Sequence, residues 1–111
     1  MAKKSKIFDK LLLDSVDEAL LYLGESSRQS IYFHIEMNFK LSRNEIPQKL
    51  EDFQLALEKI FGIGSRFIEI LIMKSLYAKI GRPLRMEKNE QFEFIKYVNV
   101  ARQSFMLNAE P

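Results

Sequence analysis

The part of the sequence that comes closest to a chemical motif is the run FGIGSRF. Backbone N–H groups at the start of a helix bind anions, and Arg66 would add a positive charge. A phosphate-binding loop, however, follows a β-strand and carries Lys-Ser or Lys-Thr, whereas this run follows a predicted helix and carries neither. We therefore interpret it as a helix–helix corner. Gly62 ends one helix, Ile63 packs back on it, Gly64 allows the reversal and Ser65 caps the next helix.

The single histidine, His34, is the other candidate for chemistry. One histidine cannot supply a metal site, and the acidic residues near it do not have ligand spacing. A phosphotransfer box places an acidic residue, a basic residue and a proline after the histidine, and HIEMNF fails at each point. We expect a partly buried packing histidine. Because a single histidine and no cysteine disfavour a catalytic triad, we expect no enzymatic activity, no cofactor and no metal.

Composition predicts the fold class more firmly than any motif predicts a function. The chain has 111 residues, of which 47% are hydrophobic and 29% charged, with only four glycines and three prolines. This favours an all-α fold, a compact bundle of four to five helices with short connections. We expect a basic N-terminal arm at 1–6, a single helical domain at 7–108 and a frayed tail at 109–111. No apolar run is long enough to span a bilayer, and the absence of cysteine fits a cytoplasmic location.

Apolar residues at helical spacing, together with cap signals, divide the chain into segments. Capping boxes are predicted where a serine is followed three residues later by Glu or Gln. The predicted elements are a helix over Ile7–Leu23 with a fresh start at Ser15, a helix from Ser26, a turn capped by Ser42 and Glu45 and broken by Pro47, a helix ending at Gly62, a helix over Ser65–Gly81, a linker at 81–88 and a helix from about Asn89.

The fourth helix is apolar on more than one face, and only a glutamate interrupts its run FIEILIM. A helix of this kind belongs in the middle of a core or in an interface. Nine phenylalanines and five methionines are many for one small bundle. A well-filled core and a symmetric homodimer both account for them, and the sequence leaves the two open.

Nucleic-acid binding is the alternative function. The start AKKSK, with Arg28, Arg43, Arg82 and Arg85, supplies positive charge, but the net charge is only +2 because acidic residues are interleaved. A recognition helix needs an exposed polar or basic face, which the helix after the glycine corner lacks. A small DNA-binding regulator or nucleoid-associated protein using the arm and the linker therefore remains the second hypothesis.

Two stretches, VDEALLYLGESSRQSIYFHIE and IPQKLEDFQLALEKIFGIGSRFIEILIMKSLYAKIG, carry a family resemblance. The chain from about Asp14 to Val100 resembles the small archaeal domain named the Nitrosopumilus output domain of the fifth type. The most specific pieces are Leu23-Gly24-Glu25 followed by Ile31-Tyr32, and the run from Phe53 through Phe61-Gly62-x-Gly64 to Leu76-Tyr77. The resemblance implies a helical signalling output module, alone or with a partner in trans, and transfers no catalytic residue.

We therefore expect a non-enzymatic signalling or regulatory module that binds a protein partner or itself, as a homodimer. Polar residues inside the familiar motifs that have no evident core role are the candidate partner-binding site. They are Glu25, Arg28 and Tyr32 at the start of the second helix, and Gly64 and Arg66 at the corner.

Overall fold

The computed structural model describes residues 2–85 and 93–107, and every regular element within these ranges is helical. The α-helices are α1 (Ala2–Leu21), α2 (Glu25–Phe39), α3 (Leu50–Phe61), α4 (Ser65–Ile80) and α5 (Phe94–Leu107). Two 3-10 helices, Arg43–Gln48 and Gly62–Gly64, join α2 to α3 and α3 to α4. The prediction of an all-α bundle with short connections is confirmed.

Helix α1 is continuous, contrary to the predicted fresh start at Ser15. Ser15 is buried in the middle of the helix, and its Oγ donates a hydrogen bond to the Leu11 carbonyl at 2.8 Å. A serine hydroxyl satisfied in this way is compatible with a helix interior. Residues 2–6, assigned to a basic arm, also lie within α1.

The predicted start of α2 at Ser26 is wrong by one residue. Gly24, with φ of 108°, precedes α2, and no side chain caps the helix. The carboxylate of Glu25 instead accepts hydrogen bonds from Arg28 and Gln29, one helical turn further on. An acidic residue in the first turn also interacts favourably with the helix dipole.

The cap signal at Ser42 and Glu45 is confirmed in the first 3-10 helix. The Ser42 N–H donates to Glu45 Oε1 at 3.0 Å, which is the return bond of a capping box. Pro47 lies inside this short helix, which ends one residue later. Helix α3 then begins at Leu50.

At the α3–α4 corner, Gly62 ends α3 with φ of 57°, as predicted. Two other details of that prediction are wrong. Ile63 is 97% exposed and does not pack back on α3. Ser65 is buried as the first residue of α4 and makes no cap hydrogen bond. The reason is that the 3-10 turn runs into α4 with Gly64 already in helical conformation, which leaves no cap position for a side chain.

Helix α4 lies at the centre of the core, packed against α1, α3 and α5. Glu18 of α1 accepts hydrogen bonds from Ser75 and Lys79 in the second half of α4, whereas Tyr22, just after α1, contacts Phe67 near the start of α4. The two helices therefore run antiparallel. The Tyr77 hydroxyl donates to the Tyr97 carbonyl at 2.7 Å and ties α4 to α5. Fully buried side chains include Phe8, Leu12, Leu20, Ile35, Phe53, Leu57, Ile72, Met73, Leu76, Phe94 and Val98.

Gly81 ends α4 in the left-handed conformation, as predicted, and residues 82–85 are not helical. The predicted helix start near Asn89, residues 86–88 of the linker and the tail at 109–111 lie outside the described residues. Across the ranges that the structure describes, none of the helices combines the length and apolarity that crossing a membrane requires.

Candidate interaction surface

Asp17 of α1 is the centre of a charged cluster that joins α1, α2 and the first 3-10 helix. Its Oδ1 accepts hydrogen bonds from the Tyr32 hydroxyl at 2.5 Å and from Arg43 Nε at 3.1 Å. Its Oδ2 accepts a bond from Arg43 Nη2 at 2.6 Å. Arg28 Nη1 lies 3.7 Å from Oδ1, and Arg28 Nη2 donates to Glu25 at 2.7 Å. Three of the five predicted site residues thus meet here.

The cluster keeps Asp17 ionised. Burial alone would raise the pKa of Asp17, but the hydrogen bonds from Arg43 and Tyr32 outweigh it and lower that pKa below its ordinary value. Burial, and then the bond to Asp17, raise the pKa of the Tyr32 phenol, so the tyrosine stays protonated. The bond to Asp17 likewise raises the pKa of Arg43.

These contacts assign Arg28 and Tyr32 a structural role. The Tyr32 hydroxyl and both Arg28 Nη atoms bond or pair within the chain, and Arg28 Nε is buried without a partner. The two residues hold α2 against α1, and little of their polarity is left for a second molecule. Glu25, by contrast, is exposed at the start of α2.

The sequence did not single out Asp17 or Arg43 as partners. They are 26 residues apart, so no spacing rule within one helix links them. Arg43 was noticed only as a point of positive charge. The chain's fold alone brings the first 3-10 helix back against α1.

A second surface lies where the end of α1 meets the start of α4, and we call it the corner patch. It consists of the exposed apolar residues Tyr22, Leu23, Ile63 and Phe67. The rings of Tyr22 and Phe67 meet edge to face, with centroids 6.2 Å apart, although the residues are 72% and 52% exposed. Large aromatic side chains that remain in water are typical of binding surfaces.

The other two predicted site residues lie beside this patch. Arg66 directly precedes Phe67 and is exposed, and its guanidinium donates no hydrogen bond to, and forms no ion pair with, any other described residue. Gly64 is exposed with φ of −70°, a value that any residue adopts. Gly64 and Arg66 therefore do not join the Asp17 cluster. Phe67, which follows Arg66, contacts Tyr22, which precedes Glu25 by three residues in the chain.

His34 differs from its prediction, because it is exposed and not partly buried. Asn38 Nδ2 lies 3.0 Å from its Nδ1, one turn further along α2. Within residues 2–85 and 93–107, no group of three or more His, Cys, Asp or Glu side chains is arranged to hold a metal ion.

No protein-family model, curated protein or solved structure matches the chain. The resemblance to the archaeal output domain therefore stays an expectation based on the quoted residues.

Proposed function

We propose that the protein is a non-enzymatic signalling or regulatory module that works by self-association, and that the corner patch is its homodimer interface. The exposed pair of Tyr22 and Phe67 is the observation that carries this proposal. Removing apolar surface from water contributes about 25 cal/mol per Å². Two aromatic rings and two aliphatic side chains at one corner therefore provide an apolar centre for an interface.

Charge at the two ends of the patch favours a second copy as the partner. Glu25 follows Tyr22 by three residues and its side chain remains 53% exposed beside its bond to Arg28. Arg66 precedes Phe67, so an acid and a base flank the aromatic pair. In a two-fold interface, a contact from one residue to another occurs twice with the roles of the subunits exchanged. A two-fold contact across the patch would pair Glu25 of each copy with Arg66 of the other. The interface is self-complementary in charge as well as apolar at its centre.

Duplex DNA fits the surface less well than a second copy does. Arg28, Arg43 and Arg102 pair with carboxylates of the same chain, which occupies charges that would otherwise bind phosphates. Arg82 and Arg85 do border a pocket of about 460 Å³. So few phosphate contacts give only weak affinity that falls as salt rises.

Sedimentation equilibrium over a range of protein concentrations tests the proposal. We expect wild type to form a dimer and Phe67→Ser to weaken it at least about tenfold, because an aromatic residue at the centre of an interface contributes strongly. Ile7→Ser is the matched control, since Ile7 is 47% exposed and lies about 21 Å along α1 from its C-terminal end. A wild type that remains monomeric, or equal weakening by both substitutions, would overturn the proposal.

A further inference from the structure

A groove of about 940 Å³ runs between α3, α4 and α5, apart from the Asp17 cluster. Its volume is within the range of small-molecule sites. Ile95 and Val100 of α5 contribute apolar surface to it, and Arg66 and Lys96 contribute positive charge. The acidic residues that line it are Glu51, Glu58, Glu69 and Glu93.

Glu69 distinguishes this groove from an ordinary acidic surface. It projects from the central helix α4 and is only 5% exposed, although it lines the groove. The one hydrogen bond it receives from the described residues comes from Gln54 Nε2 at 3.5 Å, the outer limit of such a bond. Burial raises the pKa of Glu69, and the weak bond from Gln54 does not offset that effect.

Asp17 has a positively charged hydrogen-bond donor, and Glu69 lacks one among the described residues. Both are largely buried carboxylates, but Asp17 receives three hydrogen bonds from a tyrosine and an arginine, and its pKa is lowered. Within the part of the chain that the structure describes, no cation is bonded to Glu69, and neighbouring Glu58 raises its pKa further, against a lowering by Arg66. A buried carboxylate without a charged partner costs stability. The fold provides a counter-ion for Asp17 and leaves the position beside Glu69 open to the groove.

We propose that this groove binds a small organic cation, a single primary ammonium group on an apolar body, with Glu69 as its counter-ion. The ammonium group donates hydrogen bonds to the buried carboxylate, and the apolar body lies along the Ile95 and Val100 side of the groove. Four glutamates against Arg66 and Lys96 leave the lining net negative, which favours a cation over an anion. Glu69 itself is not part of the corner patch, although Ile63 belongs to both surfaces and Arg66 borders both.

Titration with 2-phenylethylamine, followed by amide NMR shifts, tests the site. We expect saturable shifts at residues lining the groove. The uncharged analogue 2-phenylethanol should bind at least about tenfold more weakly, since a charge-assisted hydrogen bond contributes about 1.5–3 kcal/mol. Glu69→Gln, which keeps the size of the side chain, should weaken amine binding by a similar factor. Glu58→Gln, at the same groove, should have a smaller effect.

A measurement on wild type removes any dependence on how the variants fold. Saturating amine should lower the pKa of the Glu69 carboxyl, followed by its ¹³C shift, because a bound ammonium stabilises the ionised form. The proposal is overturned if the amine gives no saturable shifts, if Glu69→Gln binds it as tightly as wild type, or if the carboxyl pKa does not move.

Discussion

Asp17 and Arg43 are joined by a hydrogen bond of 2.6 Å between Oδ2 and Nη2, although 26 residues separate them in the chain. Together with the bond from Arg43 Nε, the contact is bidentate, which is the strongest geometry for an arginine and a carboxylate. It fixes the first 3-10 helix against α1. The Tyr32 hydroxyl of α2 donates a hydrogen bond to the same carboxylate and so holds α2 against α1 as well.

Arg43→Gln should therefore lower the free energy of unfolding by about 1–2 kcal/mol, because it leaves Asp17 with fewer donors in a largely buried position. Lys10→Gln is the control. Lys10 pairs with Asp14 on the exposed side of the same helix, and loss of such a pair costs less than about 0.5 kcal/mol. Urea unfolding of both variants measures the difference. Equal effects would show that the Asp17 cluster contributes no more than a surface pair.

Removing the charge of Glu69, unlike removing that of Arg43, should stabilise the fold at neutral pH. A carboxyl whose pKa is raised in the folded protein binds more protons folded than unfolded, so stability falls as the pH rises above its ordinary pKa of 4.5. Glu69→Gln should raise the free energy of unfolding at pH 7, and the gain should disappear as the pH falls to about 4. Urea unfolding at the two pH values measures this. If Glu69→Gln were less stable than wild type at both pH values, the Glu69 carboxylate would support the fold.

The two glycines of the α3–α4 corner should respond differently to alanine. Gly62 has φ of 57°, which is strained for a residue with a Cβ, so Gly62→Ala should cost about 1 kcal/mol or more. Gly64 has helical dihedral angles, and a Cβ there would make an ordinary 3.8 Å contact with Phe61. Gly64→Ala should be neutral or stabilising by up to about 1 kcal/mol. If thermal unfolding showed Gly64→Ala to be less stable than Gly62→Ala, the assigned corner geometry would be contradicted.

The sequence predicted those features of the fold that depend on local pattern. The central position of α4 followed from its apolar composition, and the ends at Gly62 and Gly81 followed from glycine's tolerance of positive φ. The predicted helix start at Ser15 is wrong because an S-x-x-E pattern looks the same in the interior of a helix as at its start. A buried hydroxyl bonded to a backbone carbonyl leaves no trace in the sequence.

The candidate site was less predictable because its contacts are distant in the chain. Glu25, Arg28 and Tyr32 were identified from one local motif, yet Asp17, the group that binds two of them, belongs to another helix. Glu69 was visible only as an interruption in FIEILIM. Whether such a glutamate faces water or a partly closed groove depends on how α3 and α5 pack beside α4, which no helical periodicity encodes.

The homodimer is tested most directly by exchanging charges between its two flanks. Glu25→Lys and Arg66→Glu each place like charges opposite one another in a two-fold interface, so each variant alone should be monomeric by light scattering. Circular dichroism checks that both stay helical. Mixed in equal amounts, the two variants regain opposite charges at both contacts, and we expect a dimer of about twice the monomer mass. A mixture that stays monomeric, or single variants that dimerise like wild type, would contradict self-association through the corner patch.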